Sequence, residues 1–459
     1  MNILFLNAIL WNTINVFLYK ILLQTHQVCL FYIISKELFG ISGTIFSSVY
    51  FFISMTNFGF DYSLFSFYQQ YSSSQQQFRK LINQYLVRFF ITLIIVLGCF
   101  VFRDFLAQFG AINFFVKNIP PTLLPCIASI FITESLKKSL ETLAQLSFLN
   151  KSITILEIST IVSYLSLVWG LYFIRRTIDL YGIFIPMMLT SFVELMLLIK
   201  RLHSFYKSLP IKNELAEKSP HHSSIISNQL VNYINQITKS LFSPNFLILF
   251  LAYRLGMVKA GYIKLFTDII ILLYMLLNRC VGTPSGALLS RLPQGTILDQ
   301  QAIKQAFLKI TNAYIQLLYA LAITIAAAIA PCFLKSSCFH PTVTINILLF
   351  ILAGFIEYIF ITYEKMFITQ KASKSLALIN AISATCLIAS INYFSSASNL
   401  QSSQLTLLPI IIIRLVTVGT VALVAYKKWS IFPSLRIHQK TALISLSTSL
   451  FCLFLHCFL

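Results

Sequence analysis

The sequence predicts an all-α polytopic membrane protein, and three observations carry that prediction. The chain has 459 residues, of which 57% are hydrophobic and 10% charged, with a mean hydropathy of +0.80; a soluble domain needs roughly 25% charged residues to cover its surface. Long apolar runs recur from end to end, among them "FFITLIIVLGCFVF", "LYALAITIAAAIAPCFL" and "LTLLPIIIIRLVTVGTVALVA". Each, with its flanks, supplies the ~20 residues that cross a bilayer as a helix. The short alternating segments of a transmembrane β-barrel are missing.

In order along the chain, apolar stretches place spans at 11–33, 41–65, 81–103, 119–147, 152–174, 178–200, 224–252, 260–289, 304–332, 343–369, 375–394 and 406–426, with a thirteenth at 440–458. The first run has no basic region before it and continues into a full span, so it reads as a helix of the protein and not as a cleavable signal. The longest hydrophilic segment, "KRLHSFYKSLPIKNELAEKSPHH" from Lys200 to His222, divides the spans into matching sets. We therefore expect a first lobe at 1–200, a linker at 201–223, a second lobe at 224–430 and an extra C-terminal helix at 431–459. Two six-helix lobes that both start on the same side are parallel repeats related by a pseudo-two-fold axis, around a central cavity. The halves echo each other weakly: setting Gly43 on Gly261 brings Lys20 to within one residue of the position of Lys239.

The net charge of +20 is spread in ones and twos, without the basic block of a nucleic-acid-binding face. Loops after even-numbered spans, with Arg79, Lys80, Lys200, Arg201, Lys427 and Lys428 among their charges, carry about twice the Lys and Arg of the others. By the positive-inside rule this puts the even loops and the N-terminus in the cytoplasm. The nine cysteines are scattered, mostly inside spans, with no CxxC pair, and the seven histidines form no ligand spacing. No metal or other cofactor is expected.

The stretch "SNQLVNYINQITKS", Ser227 to Ser240, is polar yet opens the seventh span. As a helix it gathers Asn228, Asn232, Asn235, Gln236, Lys239 and Ser243 into an arc of about 100° and leaves Leu230, Val231, Ile234 and Ile237 elsewhere. Such a stripe needs water, a substrate or a polar neighbour, because unsatisfied groups in hydrocarbon are costly. It lines a cavity or it glues helices together through hydrogen bonds. The first span has its own polar half, with Asn12, Asn15, Lys20, Gln24, His26 and Gln27.

Further ionisable groups lie at membrane depth, where they are expensive and face the bundle interior or a wet cavity. Lys264 with Asp268, and Glu134 with Lys138, are spaced to neutralise each other at i,i+4. Glu194 and Arg88 are near enough to span ends to snorkel. Arg279 and Arg414 have no acid at i±3 or i±4, so they call for a partner on another helix or an anionic ligand. Guanidinium groups suit phosphate oxygens. GxSxG, HExxH and P-loop motifs are absent, and an enzyme is not expected.

The stretch "IISKELFGISGTIFSSVYFFISMTNFGFD", Ile33 to Asp61, resembles the opening helix pair of oligosaccharide flippases of the Wzx type, where an "lfG…G…s…f…i…fG" pattern joins spans one and two. "GYIKLFTDIIILLYMLLNRCVGTPSGALLSRL", Gly261 to Leu292, looks like their eighth span and the loop after it. The relation extends to the lipid II flippases and multidrug/cation antiporters of the same MOP superfamily. The resemblance implies a bacterial inner-membrane transporter that moves an undecaprenyl-diphosphate-linked oligosaccharide outward for O-antigen or other polysaccharide synthesis. It also implies contacts with polysaccharide assembly proteins and coupling to a proton or sodium ion. Family motifs transfer no site residues, so the site is assigned from charge and helix position. Lys20, Lys239, Arg279 and Arg414 are expected to attract the diphosphate, with Arg88 and His26 in the same binding set. Asn228, Asn232, Asn235 and Gln236 are expected to bond sugar hydroxyls, and Asp268 or Glu357 to carry the coupling ion. The rival readings are a drug or cation antiporter, which favours a carboxylate-dominated cavity, and a membrane glycan polymerase, which favours a large extracytoplasmic loop.

Overall fold

The computed structural model describes residues 2–101 apart from 57, 72 and 73; 120–211; 222–249 apart from 244 and 247; 257, 258 and 264; 276–290; 300–313; 356; 359–396 apart from 371; and 403–430. Among these residues there is no strand. The expected thirteenth span, Asp268 and Glu357 lie outside them, as does the side chain of Asn228.

The first span is longer than its apolar run. It begins at α1 (Asn2–Asn15), passes through a π-helical segment (Val16–Lys20) and continues as α2 (Ile21–Ile33). Next come α3 (Lys36–Met55) and α4 (Phe60–Tyr71), then α5 (Gln75–Val101), α6 (Leu124–Leu146), α7 (Asn150–Arg175) and α8 (Leu180–Ser208). The expected span 41–65 is thus two helices. The break falls at Phe58 and Gly59, whose positive φ values of 48° and 69° leave the helical basin.

Local chemistry sets several ends. The Ser35 hydroxyl accepts from the Leu38 amide at 3.1 Å to start α3, and the Asp179 carboxylate accepts from the Gly182 amide at 2.8 Å to start α8. Arg176, at φ 60°, ends α7 in the left-handed region. Pro186 sits inside α8, where the hydroxyl of Thr190 takes up the carbonyl of Pro186 at 2.9 Å.

The second half contributes α9 (His222–Ser240), a π-helical segment (Leu276–Gly282), α10 (Thr283–Leu289), α11 (300–313), α12 (359–369), α13 (Ser373–Ser396) and α14 (Ser403–Trp429). Helix α8 packs on α6 and α7, α7 packs on α1, and α9, α13 and α14 pack in series. Five of the described helices are long and apolar enough to cross a bilayer. Their lipid-facing sides show bare hydrophobic side chains, such as Ile185, Leu189, Phe192, Val193 and Met196 on α8. The chain is a multi-pass membrane protein with helices arranged in two lobes.

The hydrophobic core divides into two clusters. One cluster, from Leu30 and Phe39 to Ile161 and Phe184, draws only on the first half. The other combines Phe60, Phe65, Leu140 and Leu198 of the first half with Cys280, Leu288, Phe307, Phe360 and Val421 of the second. This shared core lies at the end where the amide of Gln75 donates to the Pro210 carbonyl at 2.9 Å, that is, beside the basic loops after the second and sixth spans. At this end the two halves are zipped together.

Candidate functional site

Two clusters of buried charge lie where the halves meet. The first is built around Glu364 on α12, whose side chain is fully buried. Lys239, at the end of α9, donates to its Oε2 at 2.6 Å, and the Tyr62 hydroxyl of α4 donates to Oε1 at 3.1 Å. The adjacent Lys365 is 6% exposed and makes no salt bridge among the described residues; its ammonium sits 4.0 Å from the centre of the Phe65 ring of the first half. On α14, the Arg414 guanidinium is 6% exposed and lies over Phe360 at 3.9 Å and Phe242 at 4.8 Å. Close packing here depends on Gly286: a Cβ at that position would fall 2.5 Å from the Phe65 ring. Three cations thus gather around Glu364, with Tyr62 and Phe65 of the first half against Lys365 and with Phe242 and Phe360 of the second half against Arg414. Cation–π contacts offset part of the desolvation of such groups.

The second cluster lies under the first-half helices. Lys137 on α6 bridges Glu134 at 2.7 Å and Glu194 at 3.0 Å, and Ser191 donates to Glu134 at 2.6 Å. Glu141, Glu157 and Glu194 bring carboxylate oxygens within 4.8 Å of one another. Into this group reaches Arg279, from the π-helical segment of the second half; it ion-pairs with Glu157 and lies 3.9 Å from Glu141. Asn12 donates to the Arg279 carbonyl at 2.8 Å and Asn15 to Glu157 at 2.7 Å, so α1 holds both ends of this arginine. A π-helical turn displaces backbone carbonyls from their normal partners, which explains why one is available to Asn12.

These arrangements correct part of the sequence reading. Arg279 and Lys239 do not stand as uncompensated cations: Glu157 and Glu364 neutralise them from helices distant in sequence. Glu134 pairs with Lys137, one residue short of the expected Lys138, which is exposed. Glu194 and Arg88 do not snorkel. Glu194 is 4% exposed within the acidic cluster, and Arg88, 6% exposed, lies 3.8 Å from Asp61 and bonds Ser139, which also donates to Asp61 at 2.9 Å.

The polar stripe is helical and buried, with Leu230 and Ile234 exposed on the other side. Part of it is helix glue. Asn235 accepts from Asn380 on α13, and Gln236 donates to the Ser54 carbonyl of the first half at 2.8 Å. Asn232 is fully buried beside the Gly59 turn, where a glycine Cβ would lie 3.0 Å from the Asn232 carbonyl carbon. Lys20 is buried next to the Tyr19 ring at 4.9 Å. His26 is 2% exposed, edge-on to Tyr164 at 5.4 Å and Trp169 at 5.8 Å, with no hydrogen bond to either ring nitrogen among the described residues. Lys239 and Arg414 therefore share a cluster, while Arg279, Arg88 and His26 each sit in separate first-half surroundings. Glu364, Lys365 and Asp61 were not singled out in the sequence. A signal was present for the first two, since "YEKMF" places adjacent opposite charges inside the tenth apolar stretch.

No family model matches the chain, and no curated protein matches it. Solved structures do. The multidrug transporter DinF-BH superposes with a TM-score of 0.63 at 14% identity, over 93% of this chain and 95% of that one. An outward-facing multidrug resistance MATE family transporter of the MOP superfamily gives 0.55 at 10% identity, covering 93% and 95%. An inward-facing structure with the same family description gives 0.56 at 12% identity, covering 93% and 98%. The helices of this chain thus adopt the two-lobed fold of MATE transporters of the MOP superfamily.

Proposed function

We propose that this protein is an alternating-access transporter that carries a lipid-linked anionic oligosaccharide across the inner membrane. One observation supports it above the others: Lys239, Lys365 and Arg414 gather around the carboxylate of Glu364, and Lys365 makes no salt bridge among the described residues. Burying an ammonium without a counter-ion costs several kcal/mol. Such a group is retained when an anion compensates it for part of the cycle. A diphosphate offers acceptor oxygens to all three cations, and the amides of the α9 stripe suit sugar hydroxyls. With the basic loops inside the cell, as this reading has them, the shared core is a gate closed toward the cytoplasm. Relatives of this fold in both outward-facing and inward-facing states fit a cycle in which that core opens.

The rival, a cation or drug antiporter, draws support from the Glu134, Glu141, Glu157 and Glu194 cluster. That cluster is partly neutralised by Lys137 and Arg279, whereas the cations around Glu364 outnumber their carboxylate. Reconstitution into proteoliposomes distinguishes the two. We expect fluorescent undecaprenyl-diphosphate glycan to cross from leaflet to leaflet, and ethidium not to be accumulated. Accumulation of ethidium without glycan movement would establish the antiporter instead.

A further inference from the structure

Helices α5 and α8 meet at the basic-loop end of the first half. The backbone amide of Gln75 donates to the Pro210 carbonyl and its side-chain amide to the Leu209 carbonyl, each at 2.9 Å. Just inside, the buried Phe78 ring lies 5.9 Å from Phe205 and 6.0 Å from Tyr206. Five exposed cations flank this seam: Arg79 and Lys80 on α5, and Lys200, Arg201 and Lys207 on α8. The two helices carry one acid between them, Glu194, and it is buried against Lys137. Neither helix therefore offers the exposed cations a carboxylate.

The direction of these cations is set by helical geometry, since residues seven apart fall within about 20° of one another on a helix. On α5, Ile94, Val87 and Lys80 are all exposed at that step, as are Leu86 and Arg79. On α8, Val193, Lys200 and Lys207 repeat the pattern. The faces that show bare hydrocarbon to lipid thus turn cationic, on the same side of each helix, as they leave the apolar layer. Lys200 and Lys207 stand about 10 Å apart along the axis, whereas a headgroup layer is ~5–8 Å deep, so their ammonium groups span its thickness. The complement of such a seam is an anion held at that depth on the lipid side, and a phospholipid phosphate meets that description. Arg79 and Arg201 suit its paired oxygens, and the lysines add point charges. We propose that the α5–α8 seam binds the headgroup of an anionic phospholipid, which bridges the two helices and fastens this end of the first half. The site lies apart from the buried cluster around Glu364 and does not depend on what the protein transports.

The test places the full chain in phosphatidylcholine nanodiscs that contain a minor fraction of phosphatidylglycerol with a photoreactive headgroup. Illumination and peptide mass spectrometry then locate the crosslinks. We expect them at 75–80 and 200–211, at least tenfold above those at Lys427 and Lys428, which are also exposed at a basic helix end. Labelling spread evenly over these helix ends would reduce the seam to a general charge bias and overturn the proposal. Native mass spectrometry with equal amounts of phosphatidylglycerol and phosphatidylcholine gives a second reading. The parent is expected to retain the anionic lipid at least tenfold more than the neutral one. The triple variant Arg79→Gln, Lys200→Gln, Lys207→Gln should lose that preference, and the control Lys427→Gln, Lys428→Gln should keep it. Equal retention in the two variants overturns the proposal. So does full displacement of the lipid by millimolar inorganic phosphate, which would mark a site for free anions. The crosslinking arm uses the unaltered chain, so it decides the question even where the triple variant inserts poorly.

Discussion

Lys239 and Glu364 form a 2.6 Å ion pair whose carboxylate is wholly buried, and Tyr62 of the other half closes onto the same carboxylate at 3.1 Å. The pair therefore serves two purposes: it neutralises charge within the second half and gives the first half something to hold. Removing one partner leaves an uncompensated buried charge, which costs about 3–5 kcal/mol. Glu364→Gln is expected to lower the thermal midpoint by several degrees. In a double-mutant cycle with Lys239→Met, the double variant should recover most of that loss. Equal losses from both single variants that simply add would show the pair to be energetically idle.

Lys365→Met separates function from stability. The substitution keeps most of the volume and removes a buried ammonium with no salt bridge, so the desolvation cost disappears along with the Phe65 contact. We expect a thermal midpoint equal to or above the parent and a glycan translocation rate at least tenfold lower. This is the pattern of a residue kept for activity at the expense of stability. A stable variant with full translocation would remove Lys365 from the anion site.

The all-helical fold class and the polar stripe were legible in the sequence because each depends on local composition or on helical periodicity. The electrostatic partners were not. Glu157 lies 122 residues from Arg279, and Glu364 lies 125 residues from Lys239. No pattern within one helix reveals that such groups meet, and so paired cations read as available ones. The exchange of Lys138 for Lys137 has a different cause. Spacing alone allows both i+3 and i+4, and the choice is made by Glu194 and Ser191 on the neighbouring helix.

Asn235 and Asn380 test how much of the stripe is glue. Both are fully buried, and one amide donates to the other. Asn235→Leu should destabilise by about 1–3 kcal/mol, the cost of leaving a buried partner unsatisfied. Asn235→Leu with Asn380→Leu, which removes both polar groups, should come close to the parent in chemical or thermal unfolding. If translocation survives in the double variant, these two amides belong to helix packing. Lost translocation with intact stability would return them to the substrate path.

His26 offers a contrast, since neither ring nitrogen has a partner among the described residues and two aromatic rings enclose it. A buried polar ring without hydrogen bonds is a net cost. His26→Phe is expected to raise the thermal midpoint by a few degrees and leave translocation unchanged, because the edge-to-face contacts with Tyr164 and Trp169 persist. A sharp loss of translocation in a stable His26→Phe variant would place the imidazole in the transport mechanism.

At Gly59 the backbone of the first half packs directly against that of α9. The Gly59 φ of 69° is a left-handed value that costs a residue with a Cβ about 1–2 kcal/mol. A Cβ there would also lie 2.5 Å from the Gln229 carbonyl oxygen and 2.6 Å from the Tyr233 nitrogen. Both obstacles are backbone of α9 and cannot rotate away, so Gly59→Ala must push α9 from the turn between α3 and α4. The separation propagates to the shared core, in which Cys280 is fully buried. Alkylation of Cys280 by a membrane-permeant maleimide, followed by peptide mass spectrometry, therefore reports on the closed state. We expect the rate to rise at least tenfold in Gly59→Ala, while the labelling rate of the exposed Cys386 stays constant. An unchanged Cys280 rate would mean that the halves tolerate the added methyl without parting, and that the Gly59 contact does not govern closure.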